Sequence, residues 1–251
     1  MRMTAYAIYP SLKDRPVLIT GGATGIGAEV VAQFCQQGSR VAFLDNDAAH
    51  GEAHATKTGA RFIACDLRDI AALRKAVAAA TAAVGAPRVL VNNAARDDRH
   101  AIESVEPEFY DERIAVNLRH QFFAAQAVIA GMEAAGGGSI INLGSGSWLG
   151  KTPGMPVYLS AKAAVRGMTR GLARDLGPRG IRVNEVVPGW IWTERQAALW
   201  VTPEGEANNL AGQCIPQWLK PEDVARMVLW LAADDSRMVT AQSFLVDAGR
   251  N

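Results

Sequence analysis

Short apolar runs alternate along the chain with longer segments in which apolar residues recur every three or four positions. Val17-Leu18-Ile19, Val41-Ala42-Phe43-Leu44 and Val89-Leu90-Val91 are continuous and rich in β-branched side chains, the pattern of strands covered on both faces. Such runs predict strands at 17–20, 41–45, 61–65, 88–92, 139–143, 182–187 and 243–246. Helical spacing predicts helices at 28–37, 70–84, 107–135, 157–176 and 221–232, the first turning Val30, Val31 and Phe34 inward. His50 and His54 read as surface residues of a further helix after the second strand. This alternation predicts an α/β fold, a doubly wound parallel sheet of about seven strands with helices on both faces. No repeat or low-complexity linker interrupts the pattern, so residues 1–251 read as a single domain. The least regular stretch is 190–219, which holds Trp190, Trp192, Trp200 and Trp218 together with Pro203 and Pro216.

In such a sheet a ligand sits outside the carboxyl ends of the strands, and the polar motifs of this chain begin there. Gly21-Gly22-Ala23-Thr24-Gly25-Ile26-Gly27 follows the first strand and opens the first helix. Glycine permits the tight turn and lets a pyrophosphate approach the helix N-terminus. Asp45 ends the next strand, close to the roughly 20-residue spacing expected of an acid that holds ribose hydroxyls. The sheet is therefore of the Rossmann type. Asp45 also predicts NAD as the cofactor. A carboxylate there repels a 2′-phosphate, and neither Asn46 nor Gly22-Ala23-Thr24 supplies an offsetting base.

Tyr158 and Lys162 stand one helical turn apart, so both side chains share a face. An ammonium beside a phenol favours the phenolate and makes the tyrosine a usable base. Ser145, thirteen residues upstream, offers a hydroxyl to a substrate oxygen whose charge changes. Ser147 is a rival for that role.

Bulk properties narrow the partners. With 26 basic and 25 acidic residues the net charge is +1, and no basic run occurs, so neither nucleic acid nor an anionic membrane is expected. No segment is long and apolar enough to span a bilayer, and residues 1–10 lack the core of a signal peptide, which makes the cytoplasm the default location. Cys35, Cys65 and Cys214 lack metal-ligand spacing and read as free thiols. No His, Asp or Glu grouping suggests a metal either.

Together these motifs resemble the short-chain dehydrogenase/reductase family over nearly the whole chain. The glycine pattern is that family's Thr-Gly-x-x-x-Gly-x-Gly. Asn92-Asn93-Ala94-Ala95 is similar to its Asn-Asn-Ala-Gly, with Ala95 where glycine is usual and a small local adjustment expected. The resemblance implies a catalytic set of Asn117, Ser145, Tyr158 and Lys162, in which Asn117 holds a water that links Lys162 to solvent and Lys162 also bonds the nicotinamide ribose. It implies that Gly21, Thr24, Gly25, Ile26, Gly27, Asp45, Asn46, Asp66, Leu67, Asn93, Ala94, Pro188, Gly189, Ile191 and Thr193 bind the cofactor with Tyr158 and Lys162. Asp66 would meet the adenine, with a turn cap over Leu67-Arg68 as the lesser alternative. The segment 190–219 is implied to be a mobile lid, and the assembly a homotetramer built on the helices starting near Pro107 and Val157 and on the last strand.

A finer resemblance, to bacterial aldose 1-dehydrogenases of that family including those acting on D-xylose, rests on four segments. They are Tyr9-Pro10-Ser11-Leu12-Lys13, Asp97-Asp98-Arg99-His100, Glu112 through His120, and Thr202-Pro203-Glu204-Gly205-Glu206-Ala207. It implies oxidation of a sugar's anomeric hydroxyl to a lactone. Asp97, Ser145, Ser147, Trp148, Tyr158, Trp190 and Gln196 then become the expected sugar contacts, through paired hydroxyls and stacked indoles. Another secondary alcohol, a polyol or a ketone is the alternative substrate. The Asp97–His100 loop has a second reading as an ion-pair loop or subunit contact, and His100 and His120 read as structural.

Overall fold

The structure, a computed structural model, describes residues 6–251. Residues 1–5, part of the stretch read for a signal peptide, lie outside the described residues. Seven parallel strands form one sheet: β1 (Pro16–Thr20), β2 (Arg40–Asp45), β3 (Arg61–Ala64), β4 (Val89–Asn92), β5 (Gly138–Leu143), β6 (Ile181–Pro188) and β7 (Ser243–Val246), in the order β3-β2-β1-β4-β5-β6-β7. Each predicted strand is present within a residue at either end. The doubly wound α/β expectation holds. The order reverses between β1 and β4, and this is the switch point at which such sheets bind ligands.

The helices are α1 (Gly25–Gln36), α2 (Ala48–Thr58), α3 (Ile70–Val84), α4 (Pro107–Ile114), α5 (His120–Ala134), α6 (Pro156–Leu176), α7 (Glu194–Leu199), α8 (Pro203–Ala211) and α9 (Pro221–Ala232). Strand side chains alternate between two cores, as the period of two requires. Val17, Ile19, Val41 and Phe43 pack with Val30, Phe34, Val224 and Val228 of α1 and α9. Leu18, Ala42, Leu44 and Leu90 pack with Leu73, Val77, Val128 and Leu176 of α3, α5 and α6.

Two predictions are corrected. The helix expected at 107–135 is broken by a π-helical turn at Ala115–Arg119, which separates α4 from α5. Such turns gather at functional sites. Segment 190–219 is not irregular but carries α7 and α8, capped by Thr193 and Thr202. Thr202-Pro203-Glu204 is in fact a start signal: a capping hydroxyl, proline at the first position, and an acid near the positive helix end. On α2, His50 is exposed as expected, whereas His54 is half-buried, bonded to the Ala28 carbonyl at 2.9 Å and edge-on to Phe43. Cys65 is buried and Cys35 half-buried, while Cys214 is exposed; all three are free.

Candidate active site

A cleft of about 1700 Å³ runs across the carboxyl ends of β1, β2, β4, β5 and β6. Its nucleotide half is made by backbone. Gly21 and Gly25 hold φ of 68° and 58°, values that favour glycine. A Cβ on Gly27 would lie 1.8 Å from the Gly21 carbonyl oxygen, so the first turn of α1 approaches the loop as only glycine allows. Thr24 at the N-cap makes no side-chain bond to the helix, which leaves the first turn's positive end facing the cleft. Across from Gly25 the nearest atom is the Thr193 methyl, 3.6 Å from a Cβ built there.

Side chains in this half mostly brace the loop. Asp45 accepts from the Ala23 and Asp47 N–H groups, both at 3.0 Å. Asn93 donates to the Thr20 and Gly21 carbonyls, and Thr20 Oγ1 accepts from the Asn93 and Ala94 N–H groups. Asp66 takes the turn-capping role: it accepts from the Arg68 N–H and is gripped by the Arg68 guanidinium, which reaches on to Glu112. Asn46 and Leu67 line the cleft beside it. Ala95, also in the lining, is not among the residues with positive φ. Pro188, Gly189, Ile191 and Thr193 line the far wall, where Ile191 bridges to Leu219 and Gly189 N–H bonds the Val246 carbonyl. The helix end, the glycine cradle and the acid at Asp45 suit a dinucleotide.

Four polar residues meet at the centre. Ser145 donates to Ser147 at 2.9 Å and hydrogen-bonds the Tyr158 phenol. Lys162, 1% exposed, donates to the Leu143 carbonyl at 2.7 Å, with its ammonium 5.8 Å from the Tyr158 ring centre. Burial pulls Lys162 down to about 8, with Glu185 and Asp97 acting against the shift. Burial of the hydroxyl pushes Tyr158 up to about 12, although part of the ring opens to the cleft. The Ser145 bond opposes that rise, and the cations that oppose it are Arg99 and Arg195, not the expected Lys162. Asn117, in the π turn, is fully buried. Its amide donates to the Arg96 and Arg113 carbonyls and accepts from the Arg96 N–H. That side chain therefore ties the loop after β4 to α4, and both protons of its amide are spent there. Behind Lys162, His120 is fully buried with its ring beside the backbone of Ala115 and Val116, and burial, then Lys162, lower it to about 3, which keeps it neutral.

The substrate half is built from distant segments. Arg195 of α7 pairs with Asp97 and with Asp98, the latter at 3.0 Å. Gln196 donates to Asp97 at 2.7 Å and accepts from the Trp190 indole at 2.9 Å. Burial alone would raise Asp97, but these bonds outweigh it and hold the carboxyl below the usual range. Both Asp97 oxygens are thus spent on α7, and the ion-pair reading of this loop holds within the chain. His100 accepts from the Val157 N–H at 3.4 Å and fixes the same loop to α6. Ser147 and Trp190 line the cleft as expected, but Trp148 does not; Trp192 and Trp200 take the aromatic positions instead. Arg99, Arg195 and Trp200 were missed as site residues. The Asp-Asp-Arg spacing was visible, but nothing local showed that it meets a helix 98 residues away.

Comparison with known proteins agrees with this geometry. The family profile described as Enoyl-(Acyl carrier protein) reductase matches residues 21–251. A D-xylose 1-dehydrogenase of Caulobacter vibrioides is 47% identical over 248 residues, covering 97% of this chain and 98% of its own. A Rhizobium meliloti protein that bears the name probable galactose dehydrogenase is 47% identical over 247 residues, covering 96% of both chains. A solved short-chain type dehydrogenase/reductase from Mycobacterium ulcerans superposes with a TM-score of 0.91 at 26% identity, over 96% of this chain and 90% of that one. The chain belongs to the short-chain dehydrogenase/reductase family of oxidoreductases, whose dehydrogenases typically use NAD or NADP. Among the described residues no helix is long and apolar enough to cross a membrane.

Proposed function

We propose that the protein is an NAD-dependent aldose 1-dehydrogenase that oxidises the anomeric hydroxyl of D-xylose or a related pentose or hexose to the lactone. The observation that carries this reading is the near full-length similarity to two sugar dehydrogenases, joined to a cleft whose walls are indoles and hydrogen-bonding side chains. Tyr158 as phenolate takes the hydroxyl proton, Ser145 holds the substrate oxygen, and Lys162 steadies the ribose side of the site. A bound nicotinamide supplies the hydride acceptor. Asp45 favours NAD over NADP, because a carboxylate at the end of the second strand repels a 2′-phosphate and neither Asn46 nor Gly22-Ala23-Thr24 offers an offsetting base. Asp97 and Gln196 act on the sugar indirectly, by setting α7 and Trp190 against the cleft. Residues 1–251 act as one domain in which 190–219 serves as the lid, and a reducing cytoplasm suits its three free thiols. A tetramer is supported by exposed Tyr110 and Phe122 on α4 and α5 and Leu245 on β7, the elements such an assembly would use.

Initial rates with NAD and NADP against free aldoses, polyols and ketones test the reading, with hydroxylamine trapping of the lactone. An aldose should be turned over with NAD, and Asp45→Ala should narrow the gap to NADP by roughly tenfold as the repulsion is removed. Turnover of a ketone or polyol with no aldose active would overturn the substrate assignment.

A further inference from the structure

After β7 the chain turns back to the cleft, where Arg250 and Asn251 join its lining. The turn at 247–251 is tied both to itself and to its surroundings. Asp247, 5% exposed, accepts from the Gly249 and Asn251 N–H groups at 2.9 and 3.0 Å and from the Asn251 side-chain amide at 3.1 Å. The Ala248 carbonyl accepts from the Cys214 and Ile215 N–H groups. Ala248 and Gly249 hold φ of 56° and 76°, and a residue with a Cβ stays in that region only where its surroundings impose it.

The turn places two side chains on different walls of the cleft. Arg250 donates to the Asn208 and Asn209 carbonyls at 3.1 and 2.9 Å. These lie in the last turn of α8, where helix carbonyls lack internal partners and the dipole favours a cation. The guanidinium occupies the space that a side chain on Gly212 would need. Nearer its start, α8 rests on the aromatic wall. A Cβ on Gly205 would lie 3.6 Å from the Trp190 ring, and Glu206 accepts from the Trp218 indole, which meets Trp190 edge-on at 5.3 Å. Holding α8 therefore holds Trp190. Asn251 lies on the loop after β5 that carries Ser145. Its amide nitrogen is 3.1 Å from a Cβ built on Gly146, and its amide oxygen is 3.2 Å from one built on Gly150. The carboxamide fills the space that side chains at those two glycines would take.

We propose that Arg250 and Asn251 are specificity-determining residues of the oxidation, a brace between α8 and the Ser145 loop that sets the width of the substrate half. Arg250 is a positioning residue that acts through α8 and Trp190. Asn251 limits the reach of the pocket directly, beside the residue that follows Ser145. The proposal rests on the aldose reading for its substrate, whereas the hold on α8 is independent of that reading.

Hydrogen exchange of the amides at 203–211 tests the brace, together with steady-state kinetics on D-xylose and on D-glucose, which adds only a hydroxymethyl group to the same ring. Arg250→Ala should speed exchange at 203–211 by about tenfold and raise KM for both sugars by about three- to tenfold, with kcat and NAD affinity close to wild type. Arg250→Lys keeps a cation and a donor at the helix end and should recover most of both losses. Gly212, at φ −84°, accepts a methyl in its backbone conformation, so Gly212→Ala should push the guanidinium aside and reproduce the Arg250→Ala result with the arginine still present. Asn251→Ala should leave exchange at 203–211 unmoved and shift the kcat/KM ratio toward D-glucose by about two- to fivefold, because the hydroxymethyl group gains room. Wild-type exchange and KM in both Arg250→Ala and Gly212→Ala would overturn the brace. A loss of NAD affinity as large as the rise in KM would overturn it too, because the turn would then serve the cofactor. An unchanged sugar ratio in Asn251→Ala would take Asn251 out of the pocket wall. If the wild type turns over no aldose, the substrate reading fails, and the exchange data still decide the hold on α8.

Discussion

The two halves of the cleft are held by different physics. In the nucleotide half, Asp45, Asn93 and Thr20 spend their hydrogen bonds on main-chain groups of one loop, and glycines decide how close the backbone comes. In the substrate half, charged side chains from the loop after β4 hold side chains of α7, and Trp190 and Trp200 complete the wall. A backbone-built half offers the same face to any chain that can make the turn, so it suits a shared cofactor. A half built from side-chain pairs can be re-cut by single substitutions, so it suits a substrate that differs between relatives.

The largest effect is expected where the halves meet. Tyr158→Phe keeps the ring and removes the ionisable oxygen, and turnover should fall by about 10²–10⁴ while NAD still binds. Binding and rate measured on one preparation decide this; loss of both together would mean that the halves are not separable there. Gly27→Ala tests the backbone half alone. A methyl placed 1.8 Å from the Gly21 carbonyl forces the loop apart, at a cost of about 1–3 kcal/mol, and NAD affinity should weaken by roughly 10-fold to 10²-fold by titration.

Beneath both halves, His120 supplies a pH signature. It is held neutral at about 3 by burial, well under the ordinary histidine value, so the stability it protects is complete above pH 6.5 and is lost as pH falls toward 3. Within that window the loss is about 1.4 kcal/mol per pH unit. Denaturant midpoints for His120→Leu should be flatter with pH over 6.5 to 4.5 than those of the wild type, and parallel curves would contradict this. The smallest effect belongs to the clasp. Asp97→Asn removes one member of an ion pair whose arginine is 44% exposed, so global stability should change by no more than about 1 kcal/mol. Its mark should be a raised KM for the sugar with NAD affinity intact. Equal weakening of both ligands would erase the distinction between the halves.

Much of the fold could be read from residue order. Seven short apolar runs locate the strands to within a residue, and the five inner ones are near-continuous apolar because a doubly covered strand must be apolar on both faces. The helix at 107–135 was misjudged because its apolar spacing continues through the π turn. The break is imposed by Asn117, whose amide bonds to Arg96 twenty-one residues back. The helices α7 and α8 are hidden by prolines and tryptophans that look like loop composition until Thr193 and Thr202 are seen to cap them.

What the sequence by itself determined is what depends on neighbours a few residues apart: strand and helix identity, the glycine turn with its acid at Asp45, and the Tyr158–Lys162 pair on one helical face. Turn geometry and side-chain period are local properties, and these features follow from them. Only the tertiary structure decided which charges meet. It spent Asp97 on Arg195, set Trp200 in the cleft and Trp148 outside it, and laid Arg99 over the Trp200 ring. Electrostatic pairing acts through space with no regard to chain order, so the partner of a charge stays unknown until the sheet brings the two segments to the same edge.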